Sequence, residues 1–242
     1  LDRLDKSARA GRVVEVLRQV DLAGFESRDV TELSGGQQQR VAVARALAPQ
    51  PEVLLLDEPL SNLDPTLRER TRMELRDSLK SIGITTVFVT HEQEEAFALG
   101  DQIAVLRDGR LEQTGTATDL YEQPRTRFVA TFVGRASVLQ GVMTGPAQAT
   151  TGANVVWPVR PTTTLVQGQR VDLVCRPEAL RFTDDEGLPG VVVHRRFTGA
   201  RAYFGVTTDL GEVEVESSAH AAQEGDTVRV AAEFVHAFPS TG

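Results

Sequence analysis

Four short stretches hold the residue types that handle phosphate and water. Leu33-Ser34-Gly35-Gly36-Gln37 runs on into Gln38-Gln39-Arg40-Val41 and a helix of small residues, Ala42, Ala44 and Ala46. Two glycines let backbone approach a ligand closely, the serine hydroxyl adds a donor, and a helix start points its positive dipole end at the same spot. That combination suits an anion such as a terminal phosphate. Val53-Leu54-Leu55-Leu56-Asp57-Glu58-Pro59 carries two acids at the end of an aliphatic strand, the edge where open α/β sheets bind ligands. Asp57 can hold Mg²⁺ through water, and Glu58 can orient or deprotonate an attacking water. Ser61-Asn62-Leu63-Asp64-Pro65, read alone, is only a capped helix start. His91 follows a second apolar strand, Thr85 to Thr90, and stands at the sheet edge expected to carry Glu58; a neutral imidazole there can reach a γ-phosphate or the attacking water.

The elements that must place these residues read as helices alternating with strands. Val13, Val16, Leu17 and Val20 fall on one helix face, and Ser34-Gly35-Gly36 reads as a turn before a helix from Gln37 to Ala48, stopped by Pro49 and Pro51. Val53 to Asp57 and Thr85 to Thr90 read as parallel strands buried on both faces. Between them Pro65 opens a helix whose apolar face is Leu75, Leu79 and Ile82, and Glu92 to Leu99 is a further helix. Asp101 to Gln113 reads as a hairpin around Asp108-Gly109, followed by short helices at 116–123 and 126–133. Near Gly134 the texture changes to short Val, Leu and Thr runs between turns, the pattern of a small β-barrel or sandwich, with Gly145 to Gly152 read as a loop. The expectation is an α/β layer over 1–134 and an all-β domain over 135–242.

Composition narrows the functions. The net charge of -8 argues against a nucleic-acid partner. No run is long enough to span a bilayer, so a membrane role has to come through a partner protein. Cys175 has no partner for an internal disulfide and reads as a buried apolar residue. His194, His220 and His236 share no metal-ligand spacing and are expected at surface or turn positions; Trp157, before Pro158, is expected to pack.

Taken together and in this order, the four stretches resemble the ATP-binding subunits of ABC transporters: Leu33 to Gln37 the signature motif, Val53 to Pro59 the Walker B strand, Ser61 to Asp64 the D-loop and His91 the switch histidine. The resemblance implies a P-loop NTPase fold over 1–134. The rest resembles the OB-like or TOBE-like β extension of importer ATPases, with Cys175-Arg176-Pro177-Glu178 and Leu180 as a recurring element that leans towards the ferric-iron, polyamine and sugar importers, iron or polyamine being preferred among them. It further implies ATP and Mg²⁺ as cofactors, a second ATPase subunit bound head to tail, permease subunits and, through them, a solute-binding protein. The place is cytoplasmic, on the inner face of the membrane. In that scheme Ser34, Gly35, Gly36 and Gln37 contact the γ-phosphate of ATP held by the partner. Asp57 supports Mg²⁺, Glu58 is the catalytic base, His91 holds the γ-phosphate and the water, and Asp64 crosses the dimer interface.

One family element is missing. A phosphate-gripping loop needs Gly-x-x-x-x-Gly-Lys-Ser/Thr, and the only lysines, Lys6 and Lys80, follow Asp5 and Leu79. With Leu1 rather than Met at its start, the chain is expected to be an N-terminally trimmed subunit, inactive alone, with apolar faces of its strands exposed. Two other functions compete: a soluble ABC ATPase of DNA repair or translation, for which coiled-coil arms or a second cassette would speak, and a regulatory or ligand-binding module acting through the β domain.

Overall fold

The computed structural model describes residues 5–240 except Asn62, and of Pro65 and Thr66 the backbone only. Its contacts divide the chain into two compact units, Leu1–Ile103 and Ala104–Gly242. The change of sequence texture near Gly134 therefore falls inside the second unit.

The first unit contains α1 (Lys6–Gln19), α2 (Gly35–Leu47), β1 (Val53–Asp57), α3 (Pro65–Ile82), β2 (Thr85–Val89) and α4 (Gln93–Leu99). Each helix is punctuated locally. The Asp5 carboxylate accepts from the Ala8 N–H at the start of α1, and Gly83, at φ 70°, ends α3 by donating to the Leu79 carbonyl. β1 and β2 pair in parallel from Val53↔Thr85 to Asp57↔Val89, a pairing that the α3 crossover permits. Val16, Leu17 and Val20 of the first helical stretch, Val43 and Leu47 of α2, Leu54 of β1, and Leu75 and Leu79 of α3 form one core.

Two expectations are corrected here. The strands are buried on one face only: Leu54 is 3% exposed, but Leu55 is 73% and Val89 57% exposed. The helices that contribute to the core all pack on the Leu54 side, and among the described residues the opposite face stays open. The helix after Ser34 also begins earlier than the glycines suggested. Gly35 and Gly36 form its first turn rather than a loop, because the Ser34 cap supplies what two glycines lose in helix propensity.

In the second unit β3 (Ile103–Arg107) and β4 (Arg110–Gly115) form a hairpin. Its two turn residues, Asp108 and Gly109, both take positive φ, 50° and 74°, as a primed turn demands. α5 (Ala117–Glu122) and α6 (Arg127–Phe132) follow. β5 (Ser137–Gly145), β6 (Gln148–Thr151), β7 (Val156–Pro161), β8 (Arg170–Cys175) and β14 (Val235–Pro239) close a barrel in the order β14-β7-β6-β5-β8. β9 (Leu180–Thr183), β10 (Leu188–Phe197), β11 (Arg201–Thr208), β12 (Gly211–Ser218) and β13 (Thr227–Ala232) form a sheet in the order β12-β11-β10-β13-β9. Both share one core, with Trp157, Leu139 and Leu173 from the barrel and Phe204, Val206 and Val215 from the sheet. The fold class read from the sequence, an α/β unit followed by an all-β barrel, is what the chain adopts.

Within this unit two local expectations fail. The stretch 145–152 is not a loop throughout, since Gln148–Thr151 is a barrel strand; its Gln, Ala and Thr residues lack strand-like hydrophobicity, and pairing on both sides holds them instead. His236 is neither surface nor turn. It lies in β14, 2% exposed, on the outer barrel face opposite the inward Val235 and Ala237. That face is covered too: its neighbour Phe238 packs with Val174 of β8 and Ala130 of α6. Trp157 and Cys175 are buried packing residues, as read.

Candidate functional site

The chemistry-bearing residues collect at the carboxyl ends of β1 and β2. The Glu58 N–H donates to the Val89 carbonyl at 2.8 Å, which extends the ladder one residue past Asp57. The chain then turns at Glu58, whose φ of 42° is left-handed, a conformation that costs a non-glycine residue of order 1 kcal/mol and concentrates at functional sites. Pro59 and Leu60 turn inward, and Leu60 is fully buried. This turn leaves the Glu58 carboxylate beside His91, whose Nδ1 donates to Glu58 Oε1 at 2.8 Å. That hydrogen bond first, and the Glu58 charge second, raise the histidine's proton affinity above its ordinary value, with Glu92 and Glu95 adding to it. The Glu58 carboxylate thus shifts the His91 ring towards its protonated form.

Asp57 is exposed at the end of β1. Among the described residues no three His, Cys, Asp or Glu side chains come together to hold a metal. A single carboxylate at this edge still fits Mg²⁺, which keeps most of its water and takes its remaining ligands from phosphate oxygens.

The loop after Glu58 is pinned at both ends. The Ser61 N–H and hydroxyl both donate to the Glu58 carbonyl, at 3.2 and 3.0 Å. The Asp64 carboxylate caps α3 by accepting from the Leu67 N–H at 3.1 Å. Asn62, part of the same motif, lies outside the described residues. Arg68, one turn into α3, donates to the carbonyls of Leu63 and Ser61 at 3.0 and 3.5 Å and to the Glu92 carboxylate at 3.2 Å.

Ser34, Gly35, Gly36 and Gln37 form a second group, at the start of α2. Ser34 and Gln37 make a capping box: the Ser34 N–H donates to Gln37 Oε1 at 3.0 Å and the Gln37 N–H to Ser34 Oγ at 3.4 Å. The Gln37 side chain is thus occupied in the cap. The glycines serve packing as well as approach, for a Cβ at Gly35 would stand 2.9 Å from the Leu63 side chain and one at Gly36 2.9 Å from Thr71 Oγ1. Their lack of side chains lets α2 sit against α3 and the Ser61–Asp64 loop. The side-chain bonds of the Ser34–Gln37 cap and the Glu58–His91 side-chain bond do not link the two groups to each other.

Sequence reasoning missed Arg68, Glu92 and Gln38, whose amide donates to the Val30 and Leu33 carbonyls at 3.1 Å each. The available signal was spacing: Arg68 lies four residues after the Asp64 cap, the distance at which a helical side chain returns to its own N-terminal turn.

With this geometry in hand, comparison with known proteins is direct. The family model described as ABC transporter matches residues 3–61, and that described as TOBE domain matches residues 173–238. The two matches follow one another along the chain in this order. The spermidine/putrescine import ATP-binding protein PotA of Pseudomonas fluorescens is 47% identical over 186 residues, 75% of this chain and 50% of that protein. The protein of the same name from Oleidesulfovibrio alaskensis is 42% identical over 217 residues, 87% of this chain and 57% of its own length. The chain thus spans about half the length of the curated relatives it matches. Among solved structures, cbiO1 of Clostridium perfringens, part of the ABC transporter complex cbiONQ, aligns with a TM-score of 0.45 at 29% identity, over 50% of this chain and 48% of that one. No helix among the described residues is long and apolar enough to cross a membrane.

Proposed function

We propose that this chain is the water-attack half of an ATP-hydrolysing subunit of an ABC importer, with 1–134 as its ATPase part and 135–242 as its β extension. The observation that carries this reading is the Glu58–His91 hydrogen bond of 2.8 Å at the carboxyl edge of a parallel strand pair, in a chain whose relatives are named as import ATP-binding proteins.

Glu58 accepts the proton of the attacking water. His91, holding a proton at Nδ1, fixes the carboxylate's orientation, and it turns towards the γ-phosphate when nucleotide is present. Asp57 holds Mg²⁺, which neutralises phosphate charge when bound. The free N–H groups of the first α2 turn, with Ser34, close over the γ-phosphate of ATP gripped by a second subunit, and Asp64 meets that subunit across the interface. The subunit works on the inner face of the membrane, bound to permease subunits, and the names of the relatives point to spermidine and putrescine as the class of solute.

No Gly-x-x-x-x-Gly-Lys-Ser/Thr stretch occurs in the 242 residues. Alone they are expected to release no phosphate from ATP above background. The decisive experiment is a chimera in which this chain replaces the aligned part of a spermidine/putrescine import ATP-binding protein. It should hydrolyse ATP, and Glu58→Gln should lower turnover by about 100-fold or more. A folded chimera with no ATPase, or one indifferent to Glu58→Gln, would overturn the reading.

A further inference from the structure

One guanidinium spans two parts of the site. Arg68 Nη2 donates to the Leu63 carbonyl at 3.0 Å and lies 3.5 Å from that of Ser61, while Nη1 donates to Glu92 Oε1 at 3.2 Å. The same Glu92 Oε1 stands 3.7 Å from His91 Nε2, the ring nitrogen facing away from Glu58. The Glu92 backbone is tied down, since its N–H donates to Thr90 Oγ1 at 3.0 Å and that hydroxyl donates to the buried Glu95 at 2.7 Å. The loop end is likewise fixed, with Leu63 seated against Gly35 of α2 and Ser61 bonded to Glu58. Arg68 is thus the link between carbonyls of the Ser61–Asp64 loop and the carboxylate facing His91. Its planar fork can serve both at once, which a lysine's point charge cannot.

We propose that Arg68 is a positioning residue that couples the Ser61–Asp64 loop to His91 through Glu92. When the loop moves, the fork pulls on Glu92 and changes what the outer nitrogen of His91 faces. That the mover is a second ATPase subunit rests on the function proposed above; the coupling itself does not.

The test uses the whole 242-residue chain without nucleotide, followed by NMR. The charged groups facing His91 are Glu58, Glu92, Glu95 and, behind Glu92, the Arg68 cation. Arg68→Ala frees Glu92 of its cation and should tighten proton binding at His91 by about two- to threefold; Glu92→Gln removes a carboxylate and should loosen it by a similar factor. Both should speed amide exchange at Ser61 and Leu63 by about tenfold. Opposite titration shifts with a common loosening of the loop are the signature of coupling, because general damage would move His91 the same way in both. Arg68→Lys, which keeps the charge and the helix, should retain the titration midpoint but not the slow exchange. Unchanged loop amides and an unchanged His91 midpoint in Arg68→Ala would overturn the proposal. If that variant does not fold, Glu92→Gln decides alone: no loosening at Ser61 and Leu63 overturns it. A coupled loop in a chain whose chimera lacks ATPase would sink the proposed function and leave the coupling standing; the reverse pattern would do the opposite.

Discussion

His91 and His236 stand in different units and are pushed in opposite directions. His91 is solvent-exposed, and the Glu58 carboxylate raises its proton affinity. His236 is buried in β14, and loss of solvent, with Arg176 and Arg160 nearby, lowers its pKa to about 4. The contrast extends to the units around them. The first leaves an apolar sheet face with Leu55, Val87 and Val89 open and holds its candidate site residues at a turn and a loop. The second closes its strands into a barrel and buries Trp157 and Phe204 completely or nearly so. The candidate site groups thus sit where packing is incomplete and water can enter, and the β unit spends its buried polar groups on holding itself together. Arg176 is an example, since it donates to the Val133 and Arg135 carbonyls while covering the Tyr121 ring.

The sharpest way to break this comparison is to cut each core. Trp157→Ala should destabilise the β unit by about 3–5 kcal/mol and leave the unfolding of the first unit unchanged; a single transition in chemical denaturation, shifted as a whole, would contradict two separate cores. Leu54→Ala and Leu55→Ser then compare the two faces of β1. The first should cost about 2–5 kcal/mol, the second under about 0.5 kcal/mol with a gain in solubility; equal losses would mean that the Leu55 face is covered in solution.

Acid supplies a third test. The folded pKa of His236 is below its unfolded value of 6.5, so the unfolded state binds more protons between pH 6.5 and about 4. The β unit should lose stability as pH falls through that window, by up to roughly 3 kcal/mol. His236→Phe should flatten that part of the profile in denaturant melts. Smaller still, Ser34→Ala removes the α2 cap and should cost about 1 kcal/mol in the first unit alone. For His91 the sign is reversed. Its folded pKa is raised, so its pairing with Glu58 is complete below pH 6.5 and is lost as pH rises through the folded value. An NMR titration should place the His91 midpoint above 6.5, falling back on Glu58→Gln; a midpoint unmoved by that substitution would remove the pair's electrostatic basis.

What the amino-acid sequence determined by itself was local or chemical in kind. Asp64 before Pro65, Ser34 three residues before Gln37, and Asp108-Gly109 between short apolar runs dictate caps and a primed turn, because the interactions that satisfy them lie within four residues. The parallel pairing of β1 with β2 was legible because two aliphatic runs flank a helix-length stretch. Tertiary structure decided the rest. Leu54 and Leu55 are the same residue type, and only the placement of three helices on one side makes one core and the other surface. Gln148–Thr151 is a strand because β5 and β7 flank it, and His236 is buried in a setting that includes the Phe234 ring and the Arg176 and Arg160 side chains. At the site, the residue types of Glu58 and His91 foretold the chemistry, but their 2.8 Å contact needed the left-handed turn at Glu58. The fork of Arg68 needed α3, the loop and Glu92 brought together. Such contacts join residues 24 and 33 positions apart, and no local spacing rule reaches that far.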